Sequence, residues 1–444
     1  MRRPRCRLRG CLNCLRLPLV LVVIAVASRA RADMVDVPAA AATARRAGLR
    51  VLESERVALA TDRAERPGDG VEDLPRLFDA AVATWCEHFG ITTESLGAWR
   101  TFGCLVVDVE RFRAAGLLPP EIPPFTNGFC DRNRFWLMDQ PNPAYRRHLL
   151  LHEGAHAFTL TVRGLATPVW HNEGIAEYLA THRLDERGRF VHTPMPARSA
   201  DVEQLGRIEQ LHDLRATGRI PSLSAVLAAP PAAHHDLPAY AASWAAYAMF
   251  ARHPRYAAGY STLERGPLGP DFTARLTATP GFAADRAALD FDAFTDDLDY
   301  GYDFARSAID WSAGPPLEAP AGVRVAAGRG WQNAGLSLAK GRRYALHARG
   351  RCTLGTIGDT AIETEPAGIA LDWYRGRPLG QLLAAQWIDA PADGGRPRFL
   401  VLGTGATATL TAQADGPLYL KLNEPPGSLG DDAGEFAVEV GVAP

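Results

Sequence analysis

The sequence predicts an α+β domain followed by an all-β sandwich, and three observations carry that expectation. Up to about residue 304, Val- and Leu-rich runs of strand character give way to amphipathic stretches at helical spacing. Ser312–Gly322 (SAGPPLEAPAG) then reads as an inter-domain linker. Beyond it, residues 323–444 hold short alternating runs punctuated by Gly, Pro and Asp, the pattern of a β-sandwich or jelly roll. With 444 residues, 47% hydrophobic and 22% charged, the chain can bury two such cores and is neither disordered nor collagen-like.

The elements follow in order. Met1–Arg16 is arginine-rich, Leu17–Ala27 is apolar, and Ala30-Arg31-Ala32 is a small-x-small cleavage pattern, so residues 1–32 read as a secretory signal peptide cut after Ala32. The apolar run is too short for a membrane helix, and no later stretch qualifies. An exported protein, secreted, periplasmic or on the cell surface, without an integral membrane segment after cleavage is expected. Of 48 bases, eight lie in the leader, leaving 40 against 50 acids, a net charge of −10 that argues against nucleic acid as a partner. The first domain then spans residues 33–311. Leu49–Thr61 reads as a strand, Leu74–Phe89 as an amphipathic helix, Phe102–Val109 and Arg134–Asp139 as strands with a Pro-rich loop between them, and a helix starts near Asn142–Tyr145. Helical signals dominate from there to Phe304, including Tyr240–Ala251. In the second domain, strands are expected at Tyr344–Ala348, Gly368–Trp373, Phe399–Leu402, Thr407–Ala412, Leu418–Leu422 and Glu435–Val440.

Outside the leader the cysteines are Cys86, Cys104, Cys130 and Cys352, too few and too scattered for a disulfide framework or a CxxC metal site. One bridge among the first three is open, with Cys104–Cys130 the favoured pair; buried free thiols are the alternative.

The chemistry concentrates in His152-Glu153-Gly154-Ala155-His156. On a helix, residues four apart share a face, so His152 and His156 can offer ring nitrogens to one cation, while Glu153 can reach a water on it and act as general base. HExxH is too short to stand alone. The segment Trp170-His171-Asn172-Glu173-Gly174-Ile175-Ala176-Glu177-Tyr178 strengthens it: Glu173 supplies a third ligand to Zn²⁺, and Glu177, one turn on, can hold the second ring nitrogen of a ligand histidine. A solvated surface glutamate is the other reading of Glu177. His234–His235, His88 and His148 stand at no ligand spacing.

HEGAH followed by NEGIAEY resembles the gluzincin branch of the HExxH metallopeptidases, the peptidase-MA-like proteins, over roughly residues 134–250. The NEGIAEY segment is especially similar to the motif of the aminopeptidase N family. The resemblance implies a zincin-like α+β catalytic domain with His152, His156 and Glu173 on zinc, Glu153 activating the zinc-bound water, and Arg134–Asp139 as the edge strand along which substrate lies. Tyr240-Ala241-Ala242-Ser243-Trp244 resembles the YxxG segment of those aminopeptidases, which makes Tyr240 the oxyanion stabiliser; a tyrosine packed in the core is the alternative. His171 and Tyr247 are weaker candidates. There is no GxMEN-like segment to bind a free amino terminus, so an endopeptidase is implied and an aminopeptidase is not.

Near the C-terminus, Glu424, Ser428, Asp431 and Asp432 crowd a Gly/Pro-punctuated loop between two strands, as an oxygen-ligated Ca²⁺ would need or as an acidic surface turn would show. With Arg349–Gly355, Gly368–Ala370 and Gly376–Leu383, this loop resembles the PA-IL family of calcium-dependent galactose-binding lectins over about residues 325–443. The match implies Glu424, Asp431 and Asp432 as side-chain calcium ligands and Leu354 and Ser428 as backbone ligands. Thr364 and Ala367 stand where the lectins have sugar-contacting His and Gln. The expectation is an exported zinc metallopeptidase acting on peptides or proteins, with a lectin-like domain that holds it on a glycan or surface. The competing reading is a glycan-binding surface protein whose zinc domain is a scaffold. Hydrolysis of a non-peptide amide would use the same residues.

Overall fold

In the computed structural model, which describes residues 34–164, 166–203, 206–230, 237–389 and 395–443, the first domain grows around a five-stranded sheet. The leader with its cleavage point at Ala32 and the pair His234–His235 lie outside those residues. Helix α1 (Val37–Arg46) starts where the Asp36 carboxylate accepts the Ala39 N–H. Strands β1 (Arg50–Glu53) and β2 (Val57–Thr61) form a hairpin where the sequence suggested a single strand at 49–61. The polar Ser54–Arg56 makes the turn, its groups held by the Asp79 carboxylate. Asp79 belongs to α2 (Leu74–Phe89), which has the expected bounds and ends at Gly90 in the left-handed region (φ 65°).

Strand β3 (Thr101–Val106), helix α3 (Val109–Ala114), β4 (Gly128–Asp131) and β5 (Arg134–Met138) complete the sheet, in the order β1-β2-β3-β5-β4. The edge strand is therefore not Arg134–Asp139: β5 pairs in parallel with β3 and antiparallel with β4, and β4 takes the edge. A four-residue strand, GFCD, turned back at Arg132 (φ 60°), is too short to show an alternating pattern. The same topology rules out the Cys104–Cys130 bridge. Cys104 on β3 and Cys130 on β4 flank β5, roughly 9–10 Å apart at ordinary strand spacing, beyond disulfide reach. All four cysteines outside the leader are free, buried thiols.

Helix α4 (Pro143–Phe158) begins at Asn142, whose side chain accepts the Ala144 and Tyr145 N–H groups, and continues into a π-helical turn at Thr159–Arg163. Then come α5 (Val169–Ala180), the hairpin β6 (His182–Leu184) and β7 (Phe190–His192), and α6 (Arg207–Ala216), α7 (Leu223–Leu227), α8 (Leu237–Arg252), α9 (Ala257–Arg265), α10 (Phe272–Thr277) and α11 (Ala284–Asp297). One sheet face packs Leu59, Leu105 and Phe135 against Phe78, Trp85, Leu150 and Phe158 of α2 and α4. The other packs Phe102 and Trp136 under α1. No helix among the described residues is long and apolar enough to cross a membrane.

The second domain has strands β8 (Ala321–Ala326), β9 (Gln332–Leu338), β10 (Arg343–Arg349), β11 (Cys352–Ile357), β12 (Thr360–Thr364), β13 (Ile369–Tyr374), β14 (Arg377–Leu379), β15 (Leu382–Ile388), β16 (Arg398–Thr404), β17 (Thr407–Thr411), β18 (Gly416–Leu422) and β19 (Asp432–Val442). One sheet runs β12-β11-β19-β10-β17 with β8 also on β19; the other runs β16-β15-β18-β9. Leu346, Phe436 and Val440 of the first meet Leu336, Leu382 and Leu420 of the second, a two-sheet sandwich as composition predicted.

Candidate metal centre and the acidic loop

Helix α4 carries His152 and His156 one turn apart, and α5 lies beside it with Glu173 facing them. The two Nε2 atoms are 3.1 Å apart, and Glu173 Oε2 lies 3.4 Å from that of His152 and 3.6 Å from that of His156. A tetrahedral Zn²⁺ with ligands at about 2.0–2.1 Å has ligand–ligand edges of about 3.3 Å, so these separations are those of three corners of such a cage. All three residues are buried, at most 3% exposed. Two imidazoles and a carboxylate are a donor set that suits zinc.

Glu153 is fully buried, and neither carboxylate oxygen has a hydrogen-bond partner among the described residues. It presses against Gly128 on the edge strand β4, where a Cβ would run into the carboxylate. Burial, reinforced by the Glu173 and Glu177 charges and opposed by His152, pushes its pKa up to about 8. That value belongs to the site without a cation, and a bound Zn²⁺ would lower it; what fits Glu153 to accept and return a proton is its place beside the donors with both oxygens unengaged.

Glu177 is buried and held on several sides, so the surface reading fails. It approaches His152 Nδ1 at 3.1 Å, out of line for a full hydrogen bond, and His148 Nε2 at 3.3 Å, while the Arg207 guanidinium donates to both its oxygens. Burial alone would raise its pKa, but Arg207, His148 and His152 outweigh that and hold it well below the carboxylate range. Burial likewise works against charge on His152, yet Glu177 and Glu173 prevail and lift it to about 10. His148, His152 and Glu177 also form a compact trio, but with Arg207 on Glu177 a second cation there would meet a guanidinium.

Tyr240 sits on α8 with its ring 5.7 Å from the Arg207 guanidinium, which places it on the Glu177 side of the centre. The weaker candidates are engaged elsewhere. Tyr247 donates to Glu264 and lies 2.8 Å from His88 Nε2, while His171 spans Thr167 and Glu264. Sequence reasoning missed Arg207, Gly128 and a cavity of about 340 Å³ behind His148 and Glu177, lined by Tyr145, Ile208, Trp244 and Tyr300, with Arg147 held there by Glu203 at 2.7 Å. None of these residues belongs to a local motif; only the fold collects them.

In the β-sandwich, β18 ends just before Glu424 and β19 begins at Asp432, so the acidic loop bridges the two sheets. Leu354 pairs across the ladder with Asp432, and Asp431 lies against Gly355. Glu424 is 3% exposed, and its Oε2 and both Asp432 oxygens are buried without a hydrogen-bond partner among the described residues. Burial is the largest cause at both: with the Asp432 contact and charge it lifts Glu424 to about 9, while Asp432, raised by burial and the Asp431 charge but held back by Glu424, reaches about 6. Orphaned oxygens of this kind fit a hard cation. Ser428 closes the turn by donating its N–H to the Pro425 carbonyl. Thr364 is 1% exposed, so its side chain cannot meet a sugar from solution.

No protein-family model matches the chain, and no curated protein matches it. Thirty chains among the solved structures do. One of them, described as the EclA N-terminal domain, a PllA-like lectin, is similar at 23% identity with a TM-score of 0.21, over 29% of this chain and 98% of that one. A likeness at that score decides neither fold nor function here.

Proposed function

We propose that the protein is an exported zinc-dependent metallopeptidase, cutting within peptide chains, with a calcium-binding β-sandwich attached. The observation that carries the reading is the convergence of His152, His156 and Glu173 at the edge lengths of a zinc tetrahedron beside a buried Glu153 without a hydrogen-bond partner. When bound, Zn²⁺ supplies Lewis acidity toward a scissile carbonyl and toward water. Glu153 takes the proton of the attacking water at its carboxylate and returns it to the leaving amine. Glu177, itself fixed by Arg207, orients the His152 ring. The Tyr240 hydroxyl hydrogen-bonds the oxyanion that develops on the carbonyl and keeps its proton. The cavity beside Tyr145, Ile208 and Trp244 receives a large apolar side chain of the substrate.

The near-complete burial of the three donors favours one other reading, a structural metal in a scaffold. A structural site has no use for Glu153, and that residue separates the two. Zinc-loaded full chain and Glu153→Ala, prepared identically, are incubated with a diverse peptide library and read by mass spectrometry. The peptidase reading expects internal cleavage by the parent and a loss of about 10²–10⁴ in rate for the variant, with zinc content equal in both. Equal zinc and no cleavage by either protein would leave the scaffold reading in possession.

A further inference from the structure

The acidic loop is not on a free face of the β-sandwich; it is where the sandwich meets the first domain. The Asp303 N–H donates to the Pro426 carbonyl at 3.2 Å. Arg306 spans the Gly328 and Gly430 carbonyls at 3.1 and 3.4 Å. Gly427 lies so close to the Tyr300 carbonyl and to Gly301 that no Cβ fits between them. Gly301 in turn donates its N–H to Pro196 at 2.7 Å, and Pro196 and Tyr300 both line the cavity behind His148 and Glu177. A continuous run of contacts therefore leads from residues 425–430 to the wall of the cavity beside the metal centre.

Glu424 and Asp432, at the two ends of this loop, face each other, and no cationic side chain among the described residues bonds their orphaned oxygens. Lys421 is engaged by Asp297 at 2.9 Å, and Arg306 by its two carbonyls and Asp303. Burying such a pair is costly unless a proton or a cation is shared between them. The third carboxylate does not close on the pair: Glu424, Asp431 and Asp432 form no cluster like that of the zinc donors among the described residues, and Asp431 is turned against Gly355, so the two orphaned carboxylates themselves are what a cation would join.

We propose that a divalent cation of the calcium type, held between Glu424 and Asp432, staples the two ends of the 425–430 loop and so docks the β-sandwich on the first domain, and that this loop is a cation-dependent lock of the chain instead of an open sugar-binding loop. The inference rests on the calcium part of the reading above and is independent of peptidase activity. It is tested on the full zinc-loaded chain by titrating CaCl₂ while following heat of binding and hydrogen exchange of the backbone. Calcium should slow exchange in peptides covering residues 300–306 by tenfold or more and leave those covering α4 unchanged. Asp432→Asn should lose both binding and the response. Gly427→Ala, which retains every carboxylate, should still bind calcium but lose the protection at 300–306. Binding without any change at 300–306 overturns the lock and leaves the calcium reading standing, whereas no binding overturns both. If Glu424→Gln without calcium is as protected at 300–306 as the calcium-loaded parent, a shared proton is the staple and the cation proposal falls.

Discussion

Gly174, next to Glu173 in the chain, shows how narrowly the zinc donors are set. A Cβ there would come 2.6 Å from the Ser243 carbonyl oxygen and 2.8 Å from the Tyr247 Cβ, so α5 rests on α8 backbone to backbone at this point. The obstructing atoms belong to or adjoin the α8 main chain and cannot swing away, unlike the tip of a flexible side chain. In Gly174→Ala, α5 must lift off α8 and carry Glu173 with it. The variant should lose about 1–3 kcal/mol of stability in denaturant unfolding, as overpacked sites do, and should surrender zinc to a chelator at least tenfold more readily than the parent. Unchanged zinc retention would show that Glu173 tolerates displacement and is not a ligand.

Among the elements, Glu264 of α9 does for the helices what Gly174 does for one ligand. His88 from α2 and His171 from α5 reach it at 3.1 and 3.2 Å, and Tyr247 from α8 donates to it at 2.5 Å, so four helices meet at one buried carboxylate. Burial alone would raise its pKa from 4.5, but His88 and His171 outweigh that and hold it down to about 2. A depressed carboxylate favours the folded state above its unfolded pKa, so this contribution is complete above about pH 4.5 and fades as pH falls toward 2. Because burial keeps His171 neutral at pH 7, what Glu264→Gln loses is hydrogen bonds to a charged acceptor, about 1–3 kcal/mol of stability at pH 7, with the gap narrowing in acid; a gap that is constant with pH would deny Glu264 its charge. None of this network was legible in the sequence, because its four members come from four helices with no shared spacing. What was legible is local. The period of Leu74–Phe89 and the helix start near Asn142–Tyr145 set α2 and α4, and i, i+4 spacing put His152 and His156 on one face, as Glu173 and Glu177 are on the next helix. The edge strand was misplaced because β4 is four residues long, and the Cys104–Cys130 pairing failed because strand order is not written in spacing.

At the scale of the whole molecule, composition marked Ser312–Gly322 as a linker, yet the segment is laid along β9: Leu317 donates its N–H to Ser337 at 2.9 Å, and Ser337 donates to Pro315 at the same distance. The two domains also share an apolar seam in which Trp311 stacks on Phe399 and its indole N–H reaches Asp290 of α11. At the end of α11, Asp297 receives Lys421 from β18 and Arg375 from the β13–β14 turn, both at 2.9 Å and both across the domain boundary. Lys421 and Asp297 are nearly inaccessible, so their charges are taken out of water together and each depends on the other for compensation. A tethered domain would not need such a pair, whereas two domains that unfold together would. The intact chain should therefore melt in one calorimetric transition. Asp297→Ala leaves the buried Lys421, and Arg375 with it, without their shared carboxylate, and should cost about 3–5 kcal/mol and split that transition in two. Replacing both partners, Asp297→Leu with Lys421→Met, removes the uncompensated charge and should recover much of the loss, since a buried pair exchanged for apolar groups of similar size is often neutral. If Asp297→Ala melted as the parent does, the domains would be held by the Trp311 seam alone and the charges would be passengers; recovery in the double variant is what separates a lost ion pair from a merely damaged interface.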